Sequence, residues 1–188
     1  VLFELLDTRI KDRREIEDGT NVPIAGIISH MSDKIDIPVF KKPGSSFAET
    51  FRHIRTNLQH FQAEKPSKVI QITSSISGEG KTFAAMNLAA ILAMSQKKTL
   101  LVGFDMRRPS IHQVFNYDNK IGLSTYLINE CDFEDTVVAT EIPYLFVAYS
   151  GPTPPNPSEL IERKLTEDFF KIARKEFDYI VLDTPPIA

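Results

Sequence analysis

Apolar positions change their period repeatedly along this chain, and the changes divide it into segments. The opening stretch "FELLDTRIKDRREIED" mixes apolar and charged residues at helical spacing, and "GTNVPIAGIIS" follows as a turn and a short apolar strand. Residues 32–46 are polar and carry Pro38, Pro43 and Gly44, the composition of a linker. Helical spacing returns in "SFAETFRHIRTNLQHF", where Ser46 and Glu49 have the spacing of an N-terminal capping box.

From residue 67 onward short apolar runs alternate with helical stretches. "KVIQIT", "KTLLVGF", "YLFVAYS" and "DYIVLD" read as strands. Between them lie a helix over Lys81–Ser95, a mixture of turns and short helices over 108–142, and a long amphipathic helix in "SELIERKLTEDFFKIARKEF". Strands that alternate with helices predict a parallel sheet covered on both faces, an α/β fold.

Composition narrows the possible functions. The chain has 188 residues, 42% of them hydrophobic, and a formal net charge of −3. This mildly acidic balance carries no electrostatic footprint for bulk nucleic-acid binding, and "KDRRE" interleaves its bases with acids. A single cysteine, Cys131, excludes an internal disulfide framework. No apolar run approaches the roughly 18 residues of a membrane span. The four histidines have no metal-ligand spacing with Cys131 or with each other. The chain opens on Val1 and closes shortly after "LDTPP", which reads as a piece of a longer protein with a C-terminally incomplete sheet.

Candidate chemistry centres on "SSISGEGKT", which joins the first strand to the apolar helix. Gly78 and Gly80 permit positive φ and bring backbone N–H groups close to phosphate oxygens. The helix N-terminus adds open donors and a partial positive charge. Lys81 suits the β and γ phosphates of a nucleotide, and the Thr82 hydroxyl suits Mg²⁺. The candidate nucleotide-binding set is Ser77, Gly78, Glu79, Gly80, Lys81, Thr82 and Phe83, with Arg107 offsetting phosphate charge. Ser75 stands where such loops usually open with glycine. Two other strands end in carboxylates, Asp105 and Asp183, where open α/β sheets place their crevices. Each alone is compatible with a strand-end turn. With Thr82 they form a candidate Mg²⁺ set, and with Lys81 a candidate catalytic set. Arg108 reads as a surface ion-pair residue.

"TSSISGEGKT", "LLVGFDMRRP", "SGPTPPNPSELI" and "FDYIVLDTPP" resemble the successive motifs of bacterial tyrosine kinases of the polysaccharide co-polymerase family. The resemblance implies a P-loop NTPase-like three-layer α/β/α fold with a mainly parallel sheet. It implies ATP and Mg²⁺, with transfer of the γ-phosphoryl group to tyrosine. It divides the chain into a juxtamembrane segment and linker over 1–45 and a kinase domain over 46–188. It also implies a location on the cytoplasmic face of the bacterial inner membrane, beside polysaccharide export machinery. A ring-like homo-oligomer phosphorylating tyrosine tails in trans, and a partner tyrosine phosphatase, are further implications; nucleic acid is not. Glu49, Arg52 and Arg55 share one helix face, and spacing alone fits a solvated charged stripe. Their similarity to the family's E-x-x-R-x-x-R pattern implies oligomerisation.

Two features depart from the family. Its second motif commonly carries two aspartates two residues apart, and Gly103 replaces the first, leaving Asp105. Tyr117, Tyr126, Tyr144, Tyr149 and Tyr179 form no cluster and read as packed residues. In "PPNPSEL" the residues themselves suggest only a proline-fixed turn capping a helix through Ser158. Rival readings are a partitioning-type P-loop ATPase and an ATP-binding scaffold without transfer. Against the first stands Ile76, where those ATPases carry a second lysine.

Overall fold

The computed structural model describes residues 10, 12–30, 36–61 and 66–187. The strands are β1 (Lys68–Ile72), β2 (Thr99–Gly103), β3 (Val137–Ala139), β4 (Leu145–Ala148) and β5 (Tyr179–Asp183). Among the described residues they form one sheet in the order β1-β5-β2-β4-β3. All pairings are parallel except β3 with β4, which is an antiparallel edge. The three central strands carry uninterrupted apolar runs because helices cover both of their faces.

Alternation along the strands sends side chains to two cores. Leu101, Val147 and Val181 face helices α2 (Pro38–Lys41), α3 (Ser46–Phe61), α4 (Lys81–Ala93) and the short α5 (Ile111–Val114). Leu100, Val102, Ile180 and Leu182 face the opposite layer. There Phe169 and Ala173 of α9 (Lys164–Glu176) pack beside the short helices α6 (Leu123–Leu127), α7 (Phe133–Thr136) and α8 (Pro157–Ile161). Helix α4 is apolar all round and is buried from Ala85 to Ala93. Its one polar core residue, Asn87, is fully satisfied. The Val39 N–H donates to its Oδ1 (3.3 Å), and its Nδ2 donates to the carbonyls of Asp36 (3.1 Å) and Phe83 (2.9 Å).

The structure corrects several expectations. The opening helix is described only as α1 (Arg13–Gly19), N-capped by Asp12 Oδ1; residues 3–9 and 11 lie outside the described residues. The apolar stretch after it forms no strand among the described residues. Instead the Ala25 carbonyl accepts from Asn57 Nδ2 of α3 (2.8 Å), so this stretch lies on a helix. Within the expected linker, Ile37 and Val39 are buried in the core, and α2 forms there. Helix α3 is capped by Ser45, whose Oγ accepts from Ala48 N–H (3.2 Å), while Glu49 turns to Arg52.

The long C-terminal helix is two helices. Arg163 leaves helical geometry (ψ 151°), and its guanidinium donates to the Leu127 carbonyl (3.2 Å). Strand β3 was not expected: three residues directly after a helical turn carry too little alternation to be read. Tyr126, Tyr149 and Tyr179 are packed as expected, with Tyr117 stacked on Tyr149 at 4.2 Å, but Tyr144 is half exposed.

Candidate phosphate-binding site

Strands β1, β5 and β2 end side by side, with Ile72 and Gly103 both in register with Asp183. The chain leaving β1 at this edge is the glycine loop. Gly78 (φ 91°) and Gly80 (φ 88°) are both left-handed, a conformation that side chains resist. Gly80 opens α4 without a side-chain cap, so the first-turn amides of a 13-residue helix stay open for an anion. On the other side of the loop's start, the Ile187 N–H donates to the Ser74 carbonyl (2.9 Å). The segment after β5 thereby fixes where the loop begins.

Beneath the loop lies Asp183, only 3% exposed. Thr82 Oγ1 donates to its Oδ2 (2.7 Å), while its Oδ1 is buried without a partner. Burial pushes the Asp183 carboxyl up to about 6; the Thr82 hydrogen bond and nearby Lys81 oppose this, and Asp105 adds to it. A buried carboxylate oxygen with no donor is costly unless something positive meets it. That oxygen, the Thr82 hydroxyl and Asp105 are hard oxygen donors, the chemistry that suits Mg²⁺. Among the described residues no group of three His, Cys, Asp or Glu forms a metal site alone. The remaining ligands would have to be phosphate oxygens and water, the usual arrangement for Mg²⁺.

Asp105 ends its strand differently. Its Oδ1 accepts from the N–H groups of Arg107 (3.1 Å) and Arg108 (3.0 Å), which fixes the turn and brings both arginines to the cleft. A cleft of about 600 Å³ is lined by Ser77, Gly78, Gly80, Lys81, Thr82, Phe83, Asp105, Arg107 and Arg108, closed by Pro185–Ile187. It therefore gathers most of the residues that the sequence nominates. Glu79 does not line it. Its Oε2 accepts from the N–H groups of Ser75 (2.9 Å) and Ile76 (3.3 Å), stapling the loop whose opening glycine is absent. Glu49, Arg52 and Arg55 lie on α3, outside the cleft.

Sequence reasoning missed three features of the cleft. Arg108, expected in a surface ion pair, forms none among the described residues and lines the cleft instead. Phe83 stacks edge-on with Phe47 of α3 at 5.6 Å, a contact between distant segments that no local spacing encodes. Gly103 has a packing reason as well as a chemical one. A Cβ there would stand 2.7 Å from Ser150 Oγ, which donates to the Gly103 (2.8 Å) and Asp105 (3.2 Å) carbonyls.

Comparison with known proteins gives consistent likenesses. The family described as "AAA domain" matches residues 67–188. "Putative tyrosine-protein kinase CapB" of Staphylococcus aureus is 41% identical over 149 residues, covering 79% of this chain. The chain spans 65% of that relative's length. The crystal structure of the chimerical protein CapA2B2 superposes with a TM-score of 0.86 at 38% identity, over 94% of this chain and 76% of that one. The BceF tyrosine kinase domain superposes with a TM-score of 0.85 at 31% identity, over 95% and 77%.

Proposed function

The chain belongs to the bacterial tyrosine-protein kinases, P-loop proteins of α/β fold, and on that premise we propose that it binds Mg-ATP in this cleft and transfers the γ-phosphoryl group to tyrosine. One observation carries the reading: Thr82 bonds Asp183 Oδ2 at the foot of a glycine loop of positive φ, and leaves Asp183 Oδ1 buried without a partner. A structural turn has no use for an unsatisfied buried carboxylate oxygen.

The roles follow from position. Open amides of the loop and of the α4 N-terminus receive phosphate oxygens, and the Lys81 ammonium adds a mobile positive charge beside them. Thr82, Asp183 and Asp105 would hold Mg²⁺, which when bound neutralises charge between the phosphates. Arg107 and Arg108 close the cleft from the side of β2. With Gly103 in place of an aspartate, Asp105 is the carboxylate left to receive the proton of an incoming tyrosine hydroxyl. A loose phosphoryl-transfer transition state depends mainly on positioning and charge, so one carboxylate suffices.

Tyr126, Tyr149 and Tyr179 are buried, and burial together with Tyr117 pushes the Tyr149 hydroxyl up to about 12. Tyr144 is exposed but stands alone, outside any tyrosine cluster, and in this reading the acceptors belong to other segments or other chains, consistent with phosphorylation in trans within a homo-oligomer. The setting we propose is regulation of capsular or exopolysaccharide export at the cytoplasmic face of a bacterial inner membrane, opposed by a tyrosine phosphatase. The test is phosphotyrosine formation with Mg-ATP and a tyrosine-containing copolymer as acceptor, by the chain and by its Lys81→Met variant; phosphate release without phosphotyrosine on chain or copolymer would replace the kinase with an ATPase.

A further inference from the structure

The stretch "PPNPSEL" has a use that its sequence does not reveal. Asn156 occupies the N-cap of α8, but its side chain donates to Glu159 Oε2 (2.6 Å) and caps nothing. Ser158, the expected cap, lies inside the helix, and its Oγ accepts from Arg107 Nη2 (3.2 Å), 51 residues away in sequence.

The surroundings hold Ser158 in place. Asn119 bonds Gly151 twice: its Oδ1 accepts from the Gly151 N–H (3.0 Å) and its Nδ2 donates to the Gly151 carbonyl (2.7 Å). Ser124 Oγ donates to the Pro152 carbonyl (2.8 Å), and Leu160 of α8 is buried in the second core. Pro157 opens the helix with its φ already set. Arg107 is thus held at both ends, its backbone by Asp105 Oδ1 and its guanidinium by Ser158. A guanidinium carries five N–H donors in a fixed plane, so one bond to a hydroxyl orients the rest.

We propose that Ser158 is a positioning residue that aims the Arg107 guanidinium at the phosphate chain of the bound nucleotide. The proposal rests on the nucleotide-binding reading above. It gives the proline-rich turn a function: delivering one hydroxyl to the rim of the cleft from the layer behind it.

Equilibrium binding of fluorescent N-methylanthraniloyl-ATP with Mg²⁺ to the 188-residue chain, with thermal melting of each variant, tests this. Ser158→Ala is expected to weaken binding about three- to tenfold with an unchanged melting temperature. Ser158→Thr, which keeps the hydroxyl, is expected to bind as the parent does. In an Arg107→Ala background, Ser158→Ala is expected to add nothing, because its effect passes through the arginine. Parent-like binding by Ser158→Ala, or a further loss in the Arg107→Ala background, would overturn the positioning role alone. Failure of the folded parent to bind would overturn the nucleotide-binding reading, and this proposal with it.

Discussion

Thr82 Oγ1 donates to Asp183 Oδ2 across 2.7 Å, joining the first turn of α4 to the end of β5, residues 101 positions apart in the chain. This single bond brings the glycine loop against the sheet's central carboxylate. It leaves the second oxygen of that carboxylate buried and unpartnered.

The first prediction comes from the energetic cost of that arrangement. Asp183 has its carboxyl raised from 3.8 to about 6, chiefly by burial. Because the folded state holds this proton more tightly than the unfolded state, ionisation removes stability as pH rises from about 4 to about 6, and the loss is complete above that. Asp183→Asn should therefore stabilise the Mg²⁺-free protein at pH 8 by about 2–3 kcal/mol and flatten its pH profile between 4 and 6. The same variant should lose phosphoryl transfer. Thermal melts across pH check this, and a less stable variant at pH 8 would contradict it.

Gly103 supplies the second. Restoring a carboxylate there, as Gly103→Asp, forces its Cβ against Ser150 Oγ and buries a charge beside Asp183 and Asp105. Overpacking and an unpaired buried charge together should cost about 2–4 kcal/mol. Adding Ser150→Gly should recover part of the loss in a denaturant titration, since it removes the nearest obstructing atom. If Gly103→Asp alone is as stable as the parent, the packing explanation of this glycine is wrong.

A third concerns α3. Arg52 is engaged within its own chain, with Glu49 and with the Pro43 carbonyl (2.6 Å), while half-buried Arg55 makes no ion pair or hydrogen bond among the described residues. If α3 mediates self-association, Arg55 is the residue left to reach a neighbouring copy. Arg55→Ala should then shift the mass measured by light scattering toward monomer, with Arg52→Ala acting more weakly. An unchanged mass for Arg55→Ala would remove α3 from the interface.

Much of this architecture was legible in the residues. The apolar runs ending in Asp105 and Asp183 and the all-apolar helix behind Gly80 fix the α/β order and the place of the cleft, because period and strand-end chemistry are local properties. What stayed hidden depends on contacts between distant segments. Asn87 tying down Asp36 and Val39 turns an apparent linker into core. Glu79 stapling Ser75 and Ile76, and Ser158 gripping Arg107, are side-chain choices made only after the backbone has closed. The helix break at Arg163 coincides with its bond to the Leu127 carbonyl, a partner that no window around residue 163 contains.

The kinase reading itself stands or falls on where the γ-phosphoryl group goes. The chain and its Lys81→Met variant would be incubated with Mg-ATP and a glutamate–tyrosine copolymer, and phosphotyrosine counted by mass spectrometry alongside released phosphate. Phosphotyrosine that forms with the parent chain and falls by about a hundredfold or more in the variant is the predicted result. Free phosphate released by the parent, with no phosphotyrosine on either protein or copolymer, would contradict it.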